Sequence, residues 1–227
     1  MNIAVTGAGK GLGLEVVKRY VQGPEHIVWA CSRNVDQLMA IGADNLFTEA
    51  LDLENCSIEM IEELFGRHMN HLDILIHNAG TLVNLPFEQT ELDVWRRVFE
   101  VNLFSAIKVS KALLPFLKKS HQAHIVHIGS MGGFQGSSKF PGLSAYSASK
   151  AALANLTECM AEELKNDGIH VNCLALGAVN TEMLRQAFPG YQAPVESAQI
   201  ADFICRFSIE QRPFFNGKIL PVAASTP

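Results

Sequence analysis

The sequence predicts an α/β fold: a doubly wound parallel sheet of about seven strands, in a single domain covering residues 1–227. Three observations carry that prediction. Short apolar segments alternate with longer segments of helical pattern along the chain. Several short segments are apolar nearly throughout, as strands covered on both faces require. A glycine-rich turn, Gly7-Ala8-Gly9-Lys10-Gly11-Leu12-Gly13, separates the first strand from the first helix.

Taken in order, Ile3–Thr6 is the first strand and opens into the glycine turn and an amphipathic helix near 12–22. Ile27–Ser32 and Phe47–Leu53 are the next strands, with a helical segment near 35–41 between them. A helix near 57–69 leads to the strand Leu72–His77, and a long helical pattern follows near 91–119. His124–Gly129 is a strand, then come a helix near 146–166 and the strand Ile169–Leu176. A helix near 196–209 and the strand Lys218–Val222 complete the pattern. Met131–Leu143, rich in Gly and Ser, is a loop, and so is Gln186–Pro194 with its Pro189-Gly190 turn. Strand–helix alternation implies right-handed crossovers, so the arrangement is Rossmann-like. No repeat, low-complexity tract or linker interrupts it.

Composition narrows the function. A chain of 227 residues, 48% apolar, suits one α/β domain with a sizeable core. A formal net charge of −5 argues against a broad nucleic-acid-binding surface, while leaving room for a local cationic phosphate pocket. The five cysteines are odd in number and form no Cys-x-x-Cys pair, which points to free thiols in a reducing compartment. No apolar run approaches the ~20 residues of a membrane helix. Met1 is followed at once by a strand, leaving no room for a signal peptide, so a cytoplasmic location is expected.

The chemistry-bearing residues fall in three groups. In the glycine turn, Gly7 can take a backbone conformation closed to other residues. Gly11 lets the backbone approach a pyrophosphate at a helix N-terminus, and Gly13 lets helix pack on strand. The spacing Gly-x-x-x-Gly-x-Gly differs from Gly-x-Gly-x-x-Gly, and a chance glycine cluster is the alternative; its place between strand and helix argues for a dinucleotide.

At the end of the second strand, Ser32 and Arg33 stand where an acidic residue would grip the ribose 2′-hydroxyl of NAD. With Lys10, Arg33 suits the 2′-phosphate of NADP through charge-assisted hydrogen bonds, although both also read as ordinary surface cations. Asp36 is the NAD-favouring competitor, but a carboxylate in a first helical turn is stabilised by the helix dipole anyway.

Tyr146 and Lys150 are four apart and share a helix face. A lysine ammonium there is expected to lower the phenol from its usual value of roughly 10 and equip it for proton transfer. A Tyr-x-x-x-Lys also occurs by chance at exposed helix starts. His121, His124 and His127 recur every third residue, but a strand sends His124 and His127 to opposite faces, so no metal site is expected.

With these residues in place, the chain resembles the short-chain dehydrogenase/reductase family, in its compact single-domain branch. The likeness runs in order over nearly the whole length. Thr6 to Gly13 matches the cofactor turn, with Gly7, Gly9, Lys10, Gly11, Leu12 and Gly13 as cofactor contacts. Asp52, in Leu51-Asp52-Leu53, matches the residue at the adenine ring, with Leu53 beside it. His77-Asn78-Ala79-Gly80 resembles Asn-Asn-Ala-Gly, and Asn102 matches the helix asparagine of the proton relay. Ser130, Tyr146 and Lys150 complete the tetrad. Asn172 to Met183 resembles the later cofactor segment, with Gly177, Val179, Thr181 and Met183.

The resemblance implies a bound NADP(H) and a hydride delivered from its nicotinamide. It makes Tyr146 the general acid and Ser130 a hydrogen-bond partner of the substrate oxygen. Lys150 holds the nicotinamide ribose and lowers the Tyr146 pKa, and Asn102 anchors a water leading to Lys150. The expected activity is reversible, NADPH-dependent reduction of a ketone or aldehyde to an alcohol. A non-catalytic NADP-binding sensor or scaffold is the alternative; the intact Ser130–Tyr146–Lys150 set speaks against it. An epimerase or dehydratase fits badly with so short a C-terminal region.

Departures from the family pattern are His77 for Asn, a longer Ser130–Tyr146 loop, Leu176 for Pro, a brief segment after Met183 and a Lys218–Pro227 tail without Asp-Gly-Gly. Apolar residues on several faces of the helices near 91–119 and 146–166, such as Val98, Val101, Phe104, Ala112, Leu113 and Phe116, predict a homodimer, with a tetramer as the alternative.

Overall fold

The chain runs β1 (Asn2–Thr6), α1 (Gly11–Tyr20), β2 (Ile27–Ser32), α2 (Asp36–Met39), β3 (Leu46–Ala50), α3 (Ile58–Gly66) and β4 (Ile74–His77). It continues through α4 (Leu92–Phe99), α5 (Ser105–Leu117), β5 (His124–Ser130), α6 (Ser144–Glu163), β6 (His170–Leu176), β7 (Val179–Asn180), α7 (Glu182–Ala187), β8 (Val195–Glu196), α8 (Ser197–Glu210) and β9 (Ile219–Val222). The structure, a computed structural model, describes residues 1–223. The end of the C-terminal tail noted above lies outside them.

Seven strands form one sheet in the order β3-β2-β1-β4-β5-β6-β9, and every pairing in it is parallel. The Rossmann-like, doubly wound expectation therefore holds. The chain builds outward from β1 to β3, then crosses to β4 on the other side of β1. That reversal opens a crevice at the carboxyl ends of β1 and β4, where such sheets bind ligands. β7 and β8 form a separate two-stranded parallel pair.

Strand periodicity divides the core. Ile3 and Val5 of β1 enter one apolar layer with Leu38 of α2 and residues of α1 and α8. Ala4, between them, enters the opposite layer with Phe65 of α3 and Leu113 of α5. All five β1 residues are buried, and the three central ones, Ile3, Ala4 and Val5, are apolar, as a strand covered on both faces requires.

Three of the differences from the expected boundaries shape the site. β3 stops at Ala50, and Leu51 to Leu53 turn out of the sheet. The helical pattern of 91–119 is two helices joined by a π-helical stretch, Glu100–Phe104. Such a stretch adds a residue to the turn and re-aims its side chains, and Asn102 lies within it. α7 runs to Ala187, so the expected loop begins later.

His124 and His127 do face opposite ways. His124 Nδ1 pairs with the Ser208 carbonyl of α8, and His127 Nδ1 with Thr157 Oγ1 of α6. The five cysteines are free. Among the described residues, no helix is long and apolar enough to cross a membrane.

The apolar excess offered for self-association is largely internal. Val98, Ala112, Leu113 and Phe116 are buried within the subunit, whereas Phe104, Phe87 and Leu92 are exposed. Periodicity counts apolar faces, but α5 is wedged between sheet and α3 and uses more than one face for its own fold.

Candidate active site

The glycine turn closes one side of the crevice. Gly7 has φ +64°, and a Cβ there would lie 2.6 Å from the Ala79 Cα. Side-chain-bearing residues rarely adopt this conformation, and the neighbouring backbone leaves no room for one. Gly11, with φ +58°, has open space where a Cβ would project and forms the first residue of α1. Backbone N–H groups of that first turn have no helical partners, so they are free to donate to an anion. Gly13 is held tight for a different reason than expected: a Cβ would strike Asn78 Nδ2 at 2.4 Å.

Asn78 serves the walls of the crevice. Its Nδ2 donates to the carbonyls of Thr6 (3.2 Å) and Gly7 (2.9 Å), stitching the end of β4 to the glycine turn. The N–H groups of Asn78 and Ala79 both donate to Thr6 Oγ1. His77, at the divergent position, is buried and pairs with Ser110 Oγ at 2.8 Å.

At the far end, Ser32, Arg33, Asp52 and Leu53 line the same cleft as Gly7, Lys10, Gly11 and Leu12. Hydrogen bonds from Asn55 Nδ2 (2.7 Å) and the Glu54 N–H (3.1 Å) hold the Asp52 carboxyl below its usual range. Lys108 Nζ donates to the Leu53 and Glu54 carbonyls and fixes this turn. Asp36 lies in the first turn of α2 and accepts from Asn34 Nδ2.

Two carboxylates that sequence reading missed accompany the two cations. Glu54 lies between Arg33 (3.7 Å) and Arg97 (3.6 Å). Glu182, from the first turn of α7, meets Lys10 at 2.8 Å. Glu54 is adjacent to the Asp52 motif in sequence, but nothing local shows that its side chain reaches Arg33. Lys10 and Glu182 are 172 residues apart, and only the fold joins them.

The floor is formed by Ser130 at the end of β5 and by the first turns of α6. Ser130, Tyr146 and Lys150 line the cleft together with Gly80, Leu176, Gly177, Val179 and Thr181. Ser130 Oγ accepts from the Gly132 N–H at 3.1 Å. Lys150 is buried and its Nζ donates to the Ile128 carbonyl at 2.8 Å. Thr181 Oγ1 caps α7 by accepting from the Leu184 N–H.

Asn102 lies behind this floor. Its Oδ1 accepts from the Thr81 N–H (2.7 Å), and its Nδ2 donates to the Thr81 carbonyl and to Ser149 Oγ, both at 2.9 Å. Ser149 donates in turn to the Tyr146 carbonyl at 2.7 Å. The Asn102 side chain is therefore a brace between the loop after β4 and the Tyr146 turn of α6.

One electrostatic expectation is reversed. Burial raises the Tyr146 phenol above its usual value, and the Ser130 hydroxyl acts as a hydrogen-bond partner in the opposite, weaker sense. Lys150 is itself lowered to about 8 by burial, partly offset by Cys173. The two side chains share a helix face, but the ammonium points down to Ile128, and desolvation dominates. Behind it, the His77 and His127 rings lie 5.0 Å apart, and burial keeps both neutral near pH 7.

Comparison with known proteins agrees with this geometry. A family model described as short chain dehydrogenase matches residues 1–192. The chain is 31% identical over 187 residues to an oxidoreductase of Botryotinia fuckeliana, covering 78% of this chain and 65% of that one. It is 30% identical over 253 residues to dehydrogenase/reductase SDR family member 4 of Mus musculus, covering 98% of this chain and 86% of that one. A short chain dehydrogenase structure from Shigella flexneri, complexed with NADP, superimposes with a TM-score of 0.85 at 28% identity, covering 97% of this chain and 95% of that one. With the parallel sheet, the glycine turn and the Ser130–Tyr146–Lys150 floor in one cleft, these matches make the chain a member of the short-chain dehydrogenase/reductase family of oxidoreductases.

Proposed function

We propose that the protein is an NADP(H)-dependent carbonyl reductase, working reversibly between a ketone or aldehyde and its alcohol. The observation that carries the reading is one cleft with an anion-binding helix start at one end and Ser130, Tyr146 and Lys150 on its floor. The residues fit a dinucleotide: the Gly11–Leu12 amides suit a pyrophosphate, Lys10 and Arg33 a 2′-phosphate, and Asp52 and Leu53 an adenine. Asn78, Ala79, Gly80, Gly177, Val179 and Thr181 line the nicotinamide end. Bound there, the nicotinamide supplies or accepts the hydride.

The protein's own groups manage the proton. A phenol whose pKa is raised stays protonated at neutral pH, so Tyr146 is ready to donate to a carbonyl oxygen. Ser130 shares that oxygen by hydrogen bonding. Lys150, lowered to about 8, gains or loses a proton near operating pH and suits the refilling of Tyr146. The Asn102 side chain orients the Tyr146 turn through Ser149. A cytoplasmic, dimeric enzyme without a metal is the form expected of it.

The test is a panel of ketones and aldehydes followed by NADPH absorbance, with Tyr146→Phe as control. Turnover should fall by roughly 10²–10⁴-fold in the variant while NADPH binding persists. Native turnover in Tyr146→Phe sinks the mechanism. NADPH binding without reduction of any carbonyl favours a sensor or scaffold instead.

A further inference from the structure

We infer that the substrate is an uncharged carbonyl compound bearing an aryl or similarly flat apolar group, with Phe140 and Phe188 as the residues that select it. The inference rests on the carbonyl-reductase reading above and concerns the other half of the same cleft.

Charge is distributed unevenly along this cleft. Among the described residues its charged lining side chains are Lys10, Arg33, Asp52, Glu54, Lys150 and Glu182. Lys10 and Glu182 are paired with each other near the glycine turn. Arg33, Asp52 and Glu54 lie at the ends of β2 and β3. Lys150 is buried beneath the floor, with its ammonium on the Ile128 carbonyl. Each has a partner of its own, since Arg33 meets Glu54 and Asp52 accepts from Asn55.

The rest of the cleft wall around Tyr146 is uncharged and includes Met131, Phe140, Leu143, Met183, Leu184 and Phe188, together with Tyr191. It offers a carboxylate or phosphate no cationic partner. The one lysine of the overlying loop, Lys139, donates to the Phe134 carbonyl (2.7 Å) and is absent from the lining. A carboxylate desolvated without a partner costs several kcal/mol, so an anionic carbonyl compound is disfavoured there. An apolar group loses nothing by the same burial.

The roof is held by contacts that converge from three segments. The Phe140 ring, from the loop after Ser130, stands edge-on to Phe188 at the end of α7, centroids 6.3 Å apart at 67°. Asn84 Nδ2 donates to the Ala187 carbonyl at 2.8 Å, tying the loop after β4 to the end of α7. The Leu85 N–H donates to the Gly142 carbonyl at 3.0 Å, tying that loop to the Phe140 segment. A T-shaped pair leaves a ring face and a ring edge for a third aromatic group. Met131 and Met183 supply adaptable surface beside it.

The test compares methyl phenylglyoxylate, phenylglyoxylate and methyl pyruvate. The first two differ by one charge beside the reacting carbonyl; the first and third differ by the aryl group. Titration calorimetry on protein loaded with tetrahydro-NADP, whose ring is uncharged and transfers no hydride, removes differences in carbonyl reactivity. The aryl ester should bind about a hundredfold more tightly than its free acid. Phe140→Ala/Phe188→Ala should lower the ratio of aryl to methyl ester affinity about tenfold, which is about 1.4 kcal/mol. Retained NADPH binding shows that this variant is folded. Equal affinity for acid and ester, no measurable binding of the aryl ester, or an unchanged aryl-to-methyl ratio overturns the inference. Tight, selective binding of the aryl ester with no NADPH-driven reduction sinks the reductase reading and leaves the substrate class standing.

Discussion

Arg33 and Glu54 lie 3.7 Å apart on the wall of the cleft, and Glu54 also meets Arg97 at 3.6 Å on its other side. A cofactor 2′-phosphate would compete with Glu54 for Arg33, and Arg97 would keep Glu54 neutralised once Arg33 turned away. Cofactor preference is then a balance of three side chains.

Arg33→Ala should weaken NADPH binding about tenfold, since the guanidinium is largely exposed and its contact is discounted accordingly. NADH binding should change little. Glu54→Gln should strengthen NADPH binding by about two- to fivefold, the scale of an exposed ion pair. Calorimetric titration of both cofactors checks this. Equal losses for NADPH and NADH in Arg33→Ala would make that residue structural.

Lys150 should set the alkaline limb of the pH profile. With its pKa at about 8, the ammonium is lost above that pH, while the raised Tyr146 phenol keeps its proton. The rate of carbonyl reduction should therefore fall as pH rises through about 8. Lys150→Arg, which stays charged, should move the fall upward by two pH units or more, at some cost in rate. An alkaline limb that remains near 8 in that variant would assign it to another group.

Stability should decline in mild acid. His77, His124 and His127 are buried and held neutral, with His124 at about 4 and His127 at about 3. Their folded pKa values lie below the unfolded value of roughly 6.5, so the unfolded chain binds more protons as pH falls. Stability is thus full above about 6.5 and is lost below it, at roughly 1.4 kcal/mol per histidine per pH unit. Three histidines predict a loss of roughly 3–4 kcal/mol between about pH 6.5 and 5.5. Urea unfolding midpoints that do not move across this range would show that the imidazoles titrate in place.

Self-association is expected to use the exposed Phe87, Leu92 and Phe104. Phe87 also stands edge-on to Trp95, whose ring is stacked near Phe99, so one aromatic surface runs along α4. Light scattering at micromolar concentration should return about twice the 24.8 kDa of one chain. A subunit mass would reject the dimer, and Phe104→Glu should dissociate one that forms.

Sequence alone determined the parts of this protein that depend on local rules. Short runs that are apolar nearly throughout identify strands buried on both faces, and helical patterns between them point to a parallel sheet. Gly7 needs a positive φ, and Gly11 and Leu12 begin a helix, so the glycine turn between strand and helix is legible from seven residues. The four-residue spacing of Tyr146 and Lys150 places them on one helix face without any tertiary information. Only the tertiary structure decided how these groups are tuned. Whether Lys150 lowers the Tyr146 pKa depends on burial and on the direction of the ammonium, and both turned out against the simple expectation. The pairs Arg33–Glu54 and Lys10–Glu182 arise where separate loops meet at the carboxyl ends of the strands. The π-helical stretch around Asn102 and the Phe140–Phe188 roof are likewise products of packing. Short-range periodicity records which face of an element is apolar; it carries no information on which distant side chain will stand opposite, and electrostatic and substrate-binding properties are set by that encounter.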